Sequence, residues 1–273
     1  MLKSDRDPVW LAPDEAADIR FETDETALGP VRDRLLAAIG AQEIDIVVQP
    51  ERDRRKALLI ADMDSTMIGQ ECIDELAGEI GVKDRVAAIT ERAMRGEMAF
   101  EPALRERVSL LAGLDKGVVD RVIDTRIDLT QGARTLVGTM RSAGAYCALV
   151  SGGFTAFTSV IAERIGFHEN RANILEESNG RFTGTVREPI LGRSAKRDRL
   201  LALCSERGIA LEQTLAVGDG ANDLDMVETA GLGIAYHAKP ALVAGADAAI
   251  RHGDLTALLY AQGYRRDEFI APA

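Results

Sequence analysis

At 273 residues, 46% of them hydrophobic, the chain is long enough for one full α/β domain with a smaller insert and a short appendage. A net charge of −11 and the lack of any basic run argue against nucleic acid or an anionic membrane as partner. No apolar stretch approaches the roughly 20 residues of a membrane span, and the first eight residues lack a signal peptide's apolar core, so a cytoplasmic protein is expected.

Residues 1–53 predict a separate N-terminal appendage. Its pattern is βαβ-like: a strand over Asp18–Phe21, a helix over Pro30–Ile39 with Val31, Leu35, Leu36 and Ile39 on one face, and a strand over Ile44–Val48. Trp10, flanked by Pro8 and Pro13, suggests a docked N-terminus. Pro50–Lys56 reads as a charged linker into a catalytic domain over 54–273, which opens with the apolar run Ala57–Ala61, a buried parallel strand. Residues 72–128 change to helical periodicity: Ile73, Leu76, Ala77 and Ile80; Val86, Ile89 and Ala93; Leu104, Val108 and Leu111; Val118, Val119, Val122 and Ile123. Pro102 is placed to open the third of these helices. Beyond them come strands at Ala145–Val150, Thr214–Val217, Leu232–Ala235 and Asp247–Ile250, and a hairpin around Asn179-Gly180. Such spacing predicts an α/β fold with a doubly wound parallel sheet. Cys72, Cys147 and Cys204 are odd in number, lack metal-ligand spacing, and read as reduced packing residues.

Three of these strands end in polar residues suited to chemistry. Asp62-Met63-Asp64-Ser65-Thr66 follows the first, Ser151-Gly152-Gly153 the second, and Gly218-Asp219-Gly220-Ala221-Asn222-Asp223 the third. Open α/β sheets hold ligands at the carboxyl ends of their strands, so parallel strands would bring these segments to one edge. Two carboxylates two positions apart can share a divalent metal while one attacks an electrophile and the other moves protons. Taken singly, each motif is equally readable as a capped Asp-rich turn or a plain strand-to-helix turn. Lys196, alone, reads as a solvated lysine; its place between the second and third motifs gives it weight.

In this order, Asp-x-Asp-Ser-Thr, Ser-Gly-Gly, Lys and Gly-Asp-Gly-x-Asn-Asp resemble the four motifs of the haloacid dehalogenase superfamily. Glu71 in Ile68–Asp74, and the segment Ala93–Phe100 running on to Leu104–Leu111, are similar to its phosphoserine phosphatase family. The resemblance covers residues 54 to 265 and implies a Rossmann-type core with a helical cap inserted after the first catalytic strand. It further implies Mg²⁺-dependent hydrolysis of O-phospho-L-serine to L-serine and phosphate through an aspartyl phosphate, the last step of serine biosynthesis. Asp62 would be the nucleophile, Asp64 the general acid and base, and Lys196 the counter-charge to the phosphoryl group. Mg²⁺ would be held by the Asp62 and Asp219 side chains and the Asp64 backbone carbonyl, with Asp223 in indirect contact. Crowded carboxylates facing a phosphate dianion do require a hard cation with oxygen ligands. Ser151, Gly152, Gly153 and Asn222 would hold phosphate oxygens, Glu71 the substrate ammonium and Arg107 its carboxylate, with Met94 and Phe100 as an apolar wall.

The expected partner is a small-molecule substrate, and the expected assembly a monomer or homodimer. Residues 1–53 are too short for a complete amino-acid-binding module, so a docking or dimerisation role, or a truncated regulatory module, is expected of them. A related phosphatase for another small phosphomonoester, or a phosphotransferase, would carry the same motifs. From other classes, a phospho-accepting signalling module is opposed by Asp64 and the helical insert, and an inactive amino-acid sensor by the presence of every motif acid and Lys196.

Overall fold

The computed structural model describes residues 7–25, 27–94 and 97–271. It begins with an antiparallel hairpin, β1 (Val9–Ala12) and β2 (Ala16–Asp18), followed by helix α1 (Gly29–Ile39). This corrects the βαβ expectation. Asp14 takes a left-handed φ of 57°, which Asp tolerates, and the chain doubles back there, so the strand ends at Asp18 where one was expected to begin. Ile44–Val48 forms no strand among the described residues. The Asp45 carboxylate instead accepts the amides of Arg251, His252 and Gly253, pinning this segment to the turn that follows the last strand of the main sheet. Leu11 and Ala12 dock on Tyr260, whereas Trp10 stays half exposed.

The catalytic core starts at β3 (Leu58–Ala61). The insert follows as four helices, α2 (Cys72–Glu79), α3 (Lys83–Met94), α4 (Phe100–Ser109) and α5 (Val118–Arg126). Pro102 stands in the first turn of α4, where its missing N–H costs nothing. The chain returns through α6 (Ala133–Ser142), β4 (Tyr146–Phe154), α7 (Thr155–Ile165) and β5 (Glu169–Asn173). A hairpin of β6 (Leu175–Ser178) and β7 (Arg181–Val186) turns at Asn179 and Gly180, with φ of 51° and 77°, the left-handed pair expected of an Asn-Gly turn. Next come α8 (Arg193–Arg207), β8 (Thr214–Gly218), α9 (Leu224–Thr229), β9 (Leu232–Tyr236), α10 (Pro240–Gly245), β10 (Ala248–Ile250) and α11 (Ala257–Ala261).

Six strands form one parallel sheet in the order β10-β9-β8-β3-β4-β5. The side-chain period of two sends Leu59 and Ala61 into the core shared with α6, α7 and the insert, and Leu58 and Ile60 into the core under α8 and α9. Both faces are covered, which is why β3 reads as an unbroken apolar run. From β3 the chain moves one way to β4 and β5, and later the other way to β8, β9 and β10. The switch point therefore lies between β3 and β8, where such sheets open a crevice.

Two strands depart from the sequence reading. β4 continues through Ser151-Gly152-Gly153, where a loop was expected. β5 was not expected at all, because it is an edge strand of polar residues, Glu-Asn-Arg-Ala-Asn.

Candidate active site

Both sides of the switch point feed one acidic cluster. Asp62 leaves β3 with its amide still bonded to the Val217 carbonyl of β8 at 3.0 Å, so the two strand ends are held in register. Asp62, Asp219 and Asp223 each place a carboxylate oxygen within 4.8 Å of the others, and all three residues are buried. Lys196, in the first turn of α8, sets its ammonium 2.8 Å from Asp62 and 2.5 Å from Asp223. The Asp62 oxygen that meets Lys196 also accepts the Met63 amide at 2.7 Å, and its other oxygen faces the Asn222 amide nitrogen at 3.3 Å. Asp223 accepts the amides of Asp219 and Gly220, each at 3.1 Å, which folds the Gly-Asp-Gly turn around its carboxylate.

Burial and shared charge set the protonation of these groups. Burial, followed by the charge of Asp62, pushes Asp223 up to about 7, against the pull of Lys196. Burial also lifts Asp219. For Lys196 burial acts downward, but Asp223 and Asp62 together outweigh it and hold the ammonium charged. Three buried carboxylates against one buried ammonium leave an excess of hard oxygen donors, a set that fits a divalent cation such as Mg²⁺.

Asp64 stands apart from that cluster. The Cys72 amide approaches its carboxylate at 3.4 Å, and a Cβ added at Gly153 would lie 3.0 Å from it, so the glycine permits the close approach of β4. Burial, then the charges of Glu71 and Asp62, raise the Asp64 carboxyl well above its ordinary value. Glu71 is raised as well, by burial first, and accepts the Ser65 hydroxyl at 2.8 Å. Ser65 takes a left-handed φ of 55°, strain that a rigid site can sustain.

The remaining expected residues surround this centre. Ser151 is buried and its hydroxyl accepts the Gly153 amide at 2.9 Å. Phe100 reaches from α4 to the phosphate-loop candidate, its ring 3.7 Å from where a Gly152 Cβ would stand. A cavity of about 380 Å³ lies between them, lined by Ala93, Phe100, Gly152, Lys196 and Asn222 among others. Arg107 is held by Thr90 at 3.4 Å and by the Ala103 carbonyl at 3.3 Å. Burial lowers its guanidinium, while Asp74, Glu71 and Asp64 act on it in the opposite sense. The Met94 side chain lies outside the described residues. The structure adds Lys239, absent from the sequence reading: its ammonium is 3.4 Å from Asp219, and its amide donates to the Asp219 carbonyl at 2.9 Å. Its one sequence signal is its place just past the end of β9, beside β8.

Comparison with known proteins bears on this geometry. The model of the haloacid dehalogenase-like hydrolases matches residues 59–228. A phosphoserine phosphatase of Streptomyces coelicolor is 41% identical over 260 residues, covering 94% of this chain and 63% of that protein, so the chain spans just under two thirds of that relative's length. One from a Polaromonas species is 47% identical over 207 residues, covering 74% of this chain and 88% of its own. The solved structure of a substrate-bound phosphoserine phosphatase superimposes with a TM-score of 0.70 at 42% identity, covering 75% of this chain and 97% of that one. The chain belongs to the haloacid dehalogenase-like hydrolases, in the group of the phosphoserine phosphatases.

Proposed function

We propose that this protein hydrolyses O-phospho-L-serine to L-serine and phosphate, with Mg²⁺ as its metal ion, as the last step of serine biosynthesis. The observation that carries the reading is the buried Asp62 carboxylate, paired with Lys196 at 2.8 Å, beside a cavity lined by Lys196, Asn222 and Gly152. Asp62, Asp219 and the Asp64 backbone carbonyl would hold the cation, with Asp223 supporting them. Bound there, it lets a phosphate dianion approach a site that is otherwise too negative.

Each chemical step falls to a residue. An Asp62 oxygen attacks phosphorus as the bond to the serine oxygen breaks, and the electron pair leaves with serine. Asp64, raised by burial and by its acidic neighbours, carries the proton that this oxygen takes up. Water then attacks the aspartyl phosphate, Asp64 accepts a proton from it, and Asp62 is restored as phosphate leaves. Lys196 and the amides of Gly152 and Gly153 stabilise charge on the phosphoryl oxygens. Glu71 and Arg107 would meet the substrate ammonium and carboxylate, the latter through the planar guanidinium fork. The helical insert, with Met94 and Phe100, acts as a cap that excludes water.

Among the described residues no helix is long and apolar enough to cross a membrane. Steady-state hydrolysis of a panel of phosphomonoesters, with and without Mg²⁺, tests the proposal. Phosphoserine should give the highest kcat/KM, and only with the ion present. A preference for another ester, or transfer to an alcohol in place of water, would refute the substrate assignment.

A further inference from the structure

The ladder between β4 and β5 breaks at the phosphate-loop candidate. Val150 pairs with Arg171, yet the next pair is Phe154 with Asn173, so residues 151–153 bulge out of the sheet. A bulge leaves backbone groups without their ladder partners. One of these is the Gly152 carbonyl, and it is the buried Asn173 side chain that satisfies it, donating from Nδ2 at 2.8 Å. The same Nδ2 lies 3.4 Å from the Leu191 carbonyl, and Asn173 Oδ1 accepts the Leu191 amide at 2.7 Å. A single side chain therefore fastens the Ser151-Gly152-Gly153 bulge to the segment that leads into α8 and Lys196.

These two segments form the core side of the cavity, through Gly152 on one hand and Leu191, Gly192, Arg193 and Lys196 on the other. Phe100 stands over both, its ring 3.7 Å from a Cβ position at Gly152 and 4.0 Å from one at Gly192. We infer that Asn173 is a positioning residue that sets the spacing between the phosphate-loop amides and Lys196, and with it the surface on which Phe100 closes. The inference rests on the phosphatase reading above. Asn173 touches no reacting atom; it acts through Gly152 and Leu191. A misplacement on the order of 1 Å among groups that grip a transferring phosphoryl is costly to the reaction, whereas the acids themselves sit just past β3 and β8, joined to this clasp through Lys196, so their oxygens stay available to a cation.

The test is calorimetric binding of orthovanadate to the Mg²⁺-loaded full chain, with Mn²⁺ affinity and thermal stability measured in parallel. Asn173→Asp keeps the acceptor for the Leu191 amide but turns an oxygen toward the two carbonyls. Vanadate affinity should fall about tenfold or more, as expected for an unsatisfied buried polar group, while Mn²⁺ affinity stays within about twofold. Asn173→Ala and Asn173→Ser, which bring in no charge, carry the same comparison if the Asp variant fails to fold. Unchanged vanadate affinity in a folded variant would overturn the inference, and so would parallel losses of vanadate and Mn²⁺, which mark general loosening. A wild-type protein that binds no vanadate would remove the phosphatase reading and this inference together; wild-type binding retained in the variants removes only the latter.

Discussion

Lys196 and Asp62 form an ion pair at 2.8 Å with both side chains buried, setting a buried ammonium against the three clustered carboxylates. Removing one member of a buried pair leaves the other charge uncompensated, which costs about 3–5 kcal/mol. Lys196→Ala should therefore lower the thermal midpoint of the metal-free protein, and added Mg²⁺ should recover part of the loss by binding only the folded state. Its kcat should fall by roughly 10²–10³, the range for losing one preorganised electrostatic group. Calorimetry and steady-state kinetics on the same preparation check both.

Asp64 and Asp219 should separate by what they fail to do. Asp64→Asn is expected to lower kcat on phosphoserine by about 10²–10⁴ with little change in metal dependence. On p-nitrophenyl phosphate the loss in kcat/KM, which reports transfer to Asp62, should be much smaller, since that leaving group departs without a proton, while kcat falls with both esters because Asp64 also takes the proton of the attacking water. Asp219→Asn should weaken metal binding directly. Mg²⁺ titrations of activity with both esters distinguish the two, and the same metal dependence in both variants would contradict the division of roles.

Arg107 is bonded to two neutral groups, the Ala103 carbonyl and the Thr90 hydroxyl, and its guanidinium fork is the group proposed to meet the substrate carboxylate. Arg107→Ala should reduce kcat/KM for phosphoserine by at least ~10-fold, in line with losing a charged hydrogen bond. Hydrolysis of p-nitrophenyl phosphate, which has no carboxylate, should change much less. Equal losses on both would assign Arg107 to the insert or the phosphate.

How far the sequence reveals this arrangement depends on burial. β3, β8 and β9 are covered on both faces, so every residue is buried, nearly all are apolar, and the strands stand out. β5 borders the sheet and exposes Arg171, which hides it from any apolar pattern. The N-terminal hairpin depends on one left-handed residue, Asp14, that no periodicity signals. At the site, the acids of β3 and β8 are legible because each follows a buried run. Lys239 and Asn173 are isolated polar residues whose partners lie on other strands, and only the sheet order and the β4 bulge bring them into place.

A pH-dependent stability term is expected away from the acidic cluster, where Arg199 of α8 pairs with Glu169 at the start of the edge strand β5. Burial would raise Glu169, but Arg199, bonded at 2.7 and 2.6 Å, and the Tyr146 hydroxyl hold it below its ordinary value of 4.5. A depressed carboxylate contributes stability above its unfolded value and loses it as pH falls through the lower folded value. Arg199→Met should cost about 1–3 kcal/mol at neutral pH. Denaturant titrations should show the gap to wild type closing as pH drops below 4.5.

The most direct test of the account is covalent. The protein is mixed with Mg²⁺ and phosphoserine, quenched in acid within the first turnover, and its peptides are mapped by mass spectrometry for a phosphoryl adduct. The adduct should sit on Asp62, be absent from Asp62→Asn, and disappear on a longer incubation as serine and phosphate accumulate. Turnover of phosphoserine with the phosphoryl group on another residue, or undiminished turnover by Asp62→Asn, would contradict it.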